Sequence, residues 1–235
     1  MAKKINPISL RLGIIQVWNF LLQNYDREFN NYAIILHKYL QLKLFLKLFF
    51  SKYKFFISHM DFWCYHHFIF LNIYYTNIDF LVKKKFIKYL LNIVNIIKKK
   101  FLLKIKIRLY YKIEYFSTVH LISNYFCYLL EKNFSFSKIL WVLMRFLEKN
   151  LNTYKIMYSK NGPIKMVLKG FKIKLVGRFK NTRNPMAKSV EYNVGSLSLI
   201  SLKNQVEFSK TEVMTKLGVC GLHIWLFYEV LNFYE

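Results

Sequence analysis

MVLKGFKIKLV, residues 166–176, decides how the second half of this chain folds. Phe171, Ile173 and Leu175 alternate with Lys172 and Lys174. Successive side chains in a strand point to opposite faces, so this segment presents one apolar and one basic face. Strand-like patterning continues through Ser196–Leu202, Val206–Lys216 and Cys220–Tyr228, punctuated by Gly177, Gly195 and Gly218. A loop is expected at Ser159–Pro163. Upstream, apolar residues recur at helical spacing from about Thr118 to Leu151, with a break expected near Asn133–Ser135.

The first half reads differently. Ile34, Ile35, Leu36, Tyr39, Leu40, Leu42 and Leu46 predict an amphipathic helix over about 30–50. Phe55–Tyr75 is rich in aromatic and β-branched residues and suits two strands around His59–Asp61. Val82–Ile97 returns to helical spacing and is closed by Lys98, Lys99 and Lys100, where a helix C-terminus favours cations. KIKIRLYYKI, residues 104–113, alternates as a half-buried strand should. Residues 1–18 read as an extended basic arm, since Pro7 and Gly13 disfavour helix. The order predicts an α+β chain: an arm at 1–18, a domain at 19–115 and a second at 116–235, joined near Tyr115. No internal repeat is evident.

Lys and Arg total 37 against 12 Asp and Glu, a formal charge of +25 on 235 residues. Self-repulsion on that scale opposes compaction unless a polyanion neutralises it, so nucleic acid or an anionic membrane face is the expected partner. Basic residues occur in every region, which favours a polyanion touching many faces. Lys outnumbers Arg by 31 to 6 and Phe reaches 23. That bias toward A/T-rich codons points to an organellar genome, and part of the aromatic excess then reflects mutation rather than chemistry. Cys64, Cys127 and Cys220 are far apart, as expected of reduced intracellular thiols. The opening MAKKINPISLRLG has neither an apolar signal core nor the character of a transit peptide, as expected of a protein made inside the organelle.

The longest charge-free runs, between Asp61 and Asp79 and between Glu114 and Glu131, are interrupted by His, Asn, Ser and Thr. A spanning helix wants roughly 20 predominantly apolar residues, so the chain is not expected to span a membrane. A small basic membrane-associated protein stays as the alternative. No HExxH spacing, phosphate-binding glycine loop or nucleophile elbow is present, and His66–His67 within a strand would face opposite ways. No catalytic residue, metal ligand or cofactor site is expected.

Three stretches carry a resemblance. KINPISLRLGIIQVW (Lys4 to Trp18) is similar to the opening of the S-three family of small-subunit ribosomal proteins. LLEKNFSFSKILWVLM (Leu129 to Met144) resembles that family's second-domain helix pair. LKGFKIKLVGRF (Leu168 to Phe179), AKSVEYNVGSLSL (Ala187 to Leu199) and TKLGVCGLHIWLF (Thr215 to Phe227) resemble its closing strands, in the family order. The resemblance implies a degenerate type II KH-like domain followed by a small α/β C-terminal ribosomal-protein domain. It further implies a place in the head of the small subunit near the entrance of the messenger RNA channel. The implied partners are small-subunit rRNA, messenger RNA, ribosomal proteins S-ten and S-fourteen, and organelle-specific ribosomal proteins. The interval TNIDFLVKKK (Thr76 to Lys85), where the KH phosphate loop should lie, contains no glycine. That departure places the chain in the mitochondrion, within the matrix ribosome, before the plastid.

The residues expected at RNA are Lys3, Lys4, Asn6 and Arg11 of the arm, Lys83, Lys84 and Lys85 beside the glycine-less interval, Lys138 on the second-domain helix, and Arg178, Lys180, Arg183 and Lys188 around Gly177 and Pro185. Cations meet phosphates and Asn can hydrogen-bond a backbone or base edge. Lys138 is the one cation kept from the family's Phe-Arg-Arg-Ala-Met-Lys pattern, and Trp141 and Trp225 read as core residues.

Overall fold

A computed structural model of the chain describes residues 5–18, 20–21, 29–53, 55–65, 68–77, 94–97, 104–112, 117–132, 134–159, 162–179, 186–197, 199 and 201–231. The chain forms two compact units, one of Asn19–Ser117 and the other of Met1–Trp18 with Thr118–Glu235. Both mix helix and sheet, in an α+β arrangement.

The inner unit contains β1 (Phe20–Leu21), α1 (Phe29–Lys52), β2 (Phe55–Tyr65), β3 (Phe68–Asn77) and β4 (Lys104–Tyr111). Its sheet runs in the order β1-β2-β3-β4, with β2 and β3 antiparallel and β3 and β4 parallel. Tyr39, Leu42, Leu46 and Phe50 lie along one stripe of α1 and are buried against Phe62, Leu71 and Ile73 of the sheet. Phe50 is the hub: the Phe55 and Tyr75 rings stand 6.2 and 6.0 Å from its own.

The expected turn at His59–Asp61 is absent, because β2 runs straight through it. Pairing steps from Ile57↔Tyr75 to Met60↔Ile73, so β2 carries one extra residue there. The bulge switches the inward parity from Phe55 and Ile57 to Met60 and Phe62, and in sequence that switch mimics a turn. Of the helix predicted over Val82–Ile97, residues 94–97 are helical, with Ile97 in the same core; the rest lies outside the described residues, as do His66 and His67.

The outer unit contains α2 (Val119–Glu131), α3 (Phe136–Lys149), β5 (Tyr154–Ser159), β6 (Gly162–Gly177), β7 (Lys188–Gly195), β8 (Gln205–Thr215) and β9 (Gly218–Leu231). The helical stretch expected over 118–151 is therefore two helices. β6 is the spine of the sheet. One edge pairs with β9; the other pairs first with β5, through Gly162–Val167, and then with β7, through Gly170–Gly177. The hand-over falls where Gly170 faces Gly195. A Cβ on Gly170 would lie 2.5 Å from the Ser196 carbonyl oxygen; one on Gly195, where φ is +79°, would lie 2.2 Å from that of Lys169. Only hydrogen fits at either place.

Two strand expectations shift. Ser196–Leu202 forms no strand among its described residues; the strand is Lys188–Gly195, immediately upstream. Its Glu191 carboxylate accepts from both Lys172 and Lys174 of β6, at 2.9 and 2.5 Å, so the basic face of the opening stretch fixes the pairing. The expected loop at Ser159–Pro163 is the junction of a hairpin, with Ser159 paired to Gly162.

α2 is held to β8 at its N-terminus. Thr118 makes no side-chain cap, and instead Glu207 of β8 accepts from the Val119 N–H at 3.3 Å. A carboxylate there meets the positive end of the helix dipole. Lys155 donates to the same carboxylate at 2.5 Å and lies 5.1 Å over the Tyr228 ring. Burial pushes the Glu207 carboxyl up, yet Lys155, the Val119 N–H and His120 outweigh it and hold the group below its ordinary range.

Two outcomes follow. Gly195→Ala is expected to lower unfolding stability by about 2 kcal/mol or more through clash and a left-handed backbone, read as the urea midpoint. A carboxyl depressed in the folded state contributes stability above its unfolded pKa and loses it as pH falls through the folded one. The urea midpoint should therefore decline below about pH 4.5, the ordinary value, and Glu207→Gln should flatten that decline while lowering the midpoint at neutral pH.

Candidate nucleic-acid interface

The N-terminal arm is folded rather than extended. Asn6 is exposed, but its Oδ1 accepts from the Ile8 N–H at 3.0 Å and its carbonyl accepts from Ser9 Oγ at 2.7 Å, a local turn that Asn side chains favour. Arg11 O accepts from the N–H groups of Ile14, Ile15 and Gln16. Lys3 and Lys4 lie outside the described residues.

Arg11, expected at RNA, is turned into the fold. It is 0% exposed. Its Nε donates to Asn204 O at 2.8 Å, Nη1 to Pro7 O at 2.8 Å, and Nη2 to Leu199 O and Ser201 O at 2.9 and 2.8 Å. The guanidinium fork thus donates to four carbonyls at once, and burial lowers its pKa. Gln16 continues the tie, its Nε2 donating to Val206 O at 2.8 Å.

The structure brings two of the other predicted cations together. Arg178 and Lys188 line a groove of about 590 Å³ between α3 and the β6–β7 edge. Phe136, Leu140, Trp141 and Met144 come from the helix, and Phe179 and Tyr192 from the far wall. The Phe136 and Phe179 rings stack at 4.0 Å and close one side. Among the described residues no carboxylate lines the groove, and Arg178 and Lys188 give it positive charge. Lys138 is exposed on α3 but is not among the lining residues. Lys83, Lys84, Lys85, Lys180 and Arg183 lie outside the described residues.

Neither tryptophan expected in the core is fully there. Trp141 is 55% exposed, with the Arg145 guanidinium 3.7 Å over its ring. The α3 stripe that is buried is Ile139, Leu140, Leu143 and Leu147, one step away. Trp225 is half-buried, on the sheet face opposite Ile224 and Leu226 and beside Lys172.

A second basic and aromatic surface went unnoticed in the sequence. β3 and β4 pair as Phe70↔Lys106, Asn72↔Arg108 and Tyr74↔Tyr110, which puts all six side chains on the face turned away from α1. Lys106 and Arg108 lie 5.6 and 5.3 Å from the Phe70 ring centre. Tyr74 stacks between Tyr110 at 4.9 Å and His59 at 4.1 Å, with Lys112 5.3 Å over it. Asp61 sits on the same face, its carboxyl raised to about 6 by burial against the opposing pull of Lys112. The signal was available, because the alternation in KIKIRLYY sets Lys106, Arg108 and Tyr110 on one side.

Among the described residues no group of three His, Cys, Asp or Glu could hold a metal ion, and no helix is long and apolar enough to cross a membrane. No protein-family model matches the sequence. The chain is 38% identical over 239 residues to the small ribosomal subunit protein uS3m of Chondrus crispus, an alignment spanning 99% of this chain and 96% of that one.

Arg11→Met is expected to lower the urea midpoint by the equivalent of about 3 kcal/mol, since one buried and three part-buried carbonyls lose the Arg11 donors. Arg11→Lys should recover only part, because an ammonium cannot span the fork. An unchanged midpoint in both would show that the arm does not contribute to the outer unit.

Proposed function

The chain belongs to the uS3 family of small ribosomal subunit proteins, as a mitochondrial member, and from that premise we propose that it acts as a structural constituent of the mitochondrial small subunit, binding rRNA and catalysing nothing. The end-to-end likeness carries this reading. The charge supports it independently: 37 basic residues against 12 acidic need a polyanion to compact against, and the phosphates of rRNA supply one across many faces.

The finer assignments are proposals of the same kind. A type II KH-like reading of the inner unit is supported by its order: a helix, two antiparallel strands, a long crossover, then a strand parallel to the second. Reading the outer unit as the small C-terminal α/β domain of the family is supported by its two helices against a five-stranded sheet. Arg178 and Lys188 on the groove, Lys138 on α3, and Lys3, Lys4, Lys83, Lys84, Lys85, Lys180 and Arg183 are assigned to RNA, and Asn6 to the turn that presents the arm. Arg11 is assigned to positioning that arm. A site in the head by the messenger RNA channel entrance, with S-ten, S-fourteen and mitochondrion-specific proteins as neighbours, goes with the family. Only Lys138 stands at the family's basic cluster, so grip on incoming messenger there is expected to be weak.

Sedimentation of mitochondrial lysate through a sucrose gradient tests the reading. The chain should travel with the small subunit in moderate salt and stay with it in high salt. A free peak, or one with membranes, in both conditions would overturn it.

A further inference from the structure

We propose that the face of the inner-unit sheet turned away from α1 is a stacking platform for unpaired bases of RNA. The proposal rests on the rRNA-binding role and names the surface and the form of RNA it takes. A KH fold ordinarily brings phosphates against backbone through glycines, because a Cβ holds them off. Here the interval Thr76 to Lys85 has none. That route is obstructed by composition, and a different surface carries what single-stranded binding needs.

Such binding asks for rings that accept a base face and cations spaced to meet the backbone between bases. The sheet face has both in register. Trp63 on β2, 43% exposed, and Tyr110 on β4, 41% exposed, stand on the two strands that flank β3, with Phe70 directly across from Trp63. Lys106 and Arg108 flank Phe70, and Lys112 flanks Tyr74. Against these cations the face sets Asp61 as its one carboxylate among the described residues. The charge is therefore complementary to a polyanion rather than to an acidic-and-basic protein surface.

Asn72, between these rows, adds an independent observation. It is 9% exposed and its Oδ1 is buried with no hydrogen-bond donor among the described residues. Such an orphan acceptor is disfavoured and calls for a partner. Its register neighbour on the open side is Arg108, a long side chain. If Arg108 swings onto a phosphate, the acceptor opens to the amino group of a stacked base.

The test uses the full-length chain with a fluorescent single-stranded oligoadenylate of about twelve nucleotides, within the span such surfaces cover, and an RNA hairpin of equal charge, titrated by anisotropy at several salt concentrations. Trp63→Leu with Tyr110→Leu keeps apolar bulk at two exposed positions, and its urea midpoint, matched to the wild type, certifies the fold. It should weaken the single strand about tenfold or more, leave the salt slope unchanged and spare the hairpin. Lys106→Gln with Arg108→Gln should instead reduce the salt slope for the single strand by about 1.4, at about 0.7 for each phosphate no longer neutralised. Wild-type affinity in the aromatic variant overturns the platform while leaving the rRNA-binding role standing. Failure of the wild-type chain to bind either RNA would strike that role itself. Loss of a neighbouring protein from subunits carrying the aromatic variant, with RNA affinity unchanged, would give the face to a protein and overturn the proposal too.

Discussion

A strand of sixteen residues leaves a row of hydrogen-bonding groups along each edge, and buried backbone groups must be paired. β6 meets that demand with β9 along one side and with two shorter strands, β5 and β7, sharing the other. Most of the outer unit follows from this division. The register of β9 shifts between Leu168 and Gly170, the three residues Met166, Val167 and Leu168 are buried in succession, and β7 can begin its pairing only because Gly170 and Gly195 let two backbones close up. The charges follow the same register, with Glu191 set between Lys172 and Lys174 and its carboxyl held at about 2 by their hydrogen bonds.

What could be read from residues was the pattern that each segment holds by itself. The alternation of FKIKL and of KIKIRLYY survives in the structure because those strands each bury one face. The α1 stripe is legible for the same reason. What could not be read are features that belong to pairs of segments. The bulge in β2 is defined by one extra residue relative to β3, and nothing in FFISHMDFW marks it except a polar interruption that looks like a turn. SLSLI, from Ser196 to Ile200, alternates as a strand does, yet its Leu199 carbonyl is claimed by an arginine 188 residues away.

The candidate interface divides along the same line. In sequence Arg178 and Lys188 read as cations near a loop, and tertiary structure adds the aromatic groove they share with α3. Arg11 shows the opposite outcome. In sequence an arginine near a chain end reads as solvent-facing charge, and only the four carbonyls around it reveal a buried fork. The cations of β4 were visible as an alternating strand, but their pairing with Phe70 and Tyr74 depends on a parallel neighbour 36 positions away in register. Such a pairing cannot be inferred from one strand alone.

The Arg11 tie also sets an order in time. The arm is made before the rest of the outer unit, and the carbonyls and strand it needs, from Leu199 to Val206, follow some 190 residues later. The inner unit, Asn19–Ser117, is complete long before then. Domains generally fold as units as they emerge, and pairings between distant positions form slowly because the intervening loop must first close. The inner unit is therefore free to fold while the arm waits, and the outer unit closes only once Leu199–Val206 have been made. A chain released before Leu199–Val206 are made would carry a finished inner unit and an arginine with nothing to hold.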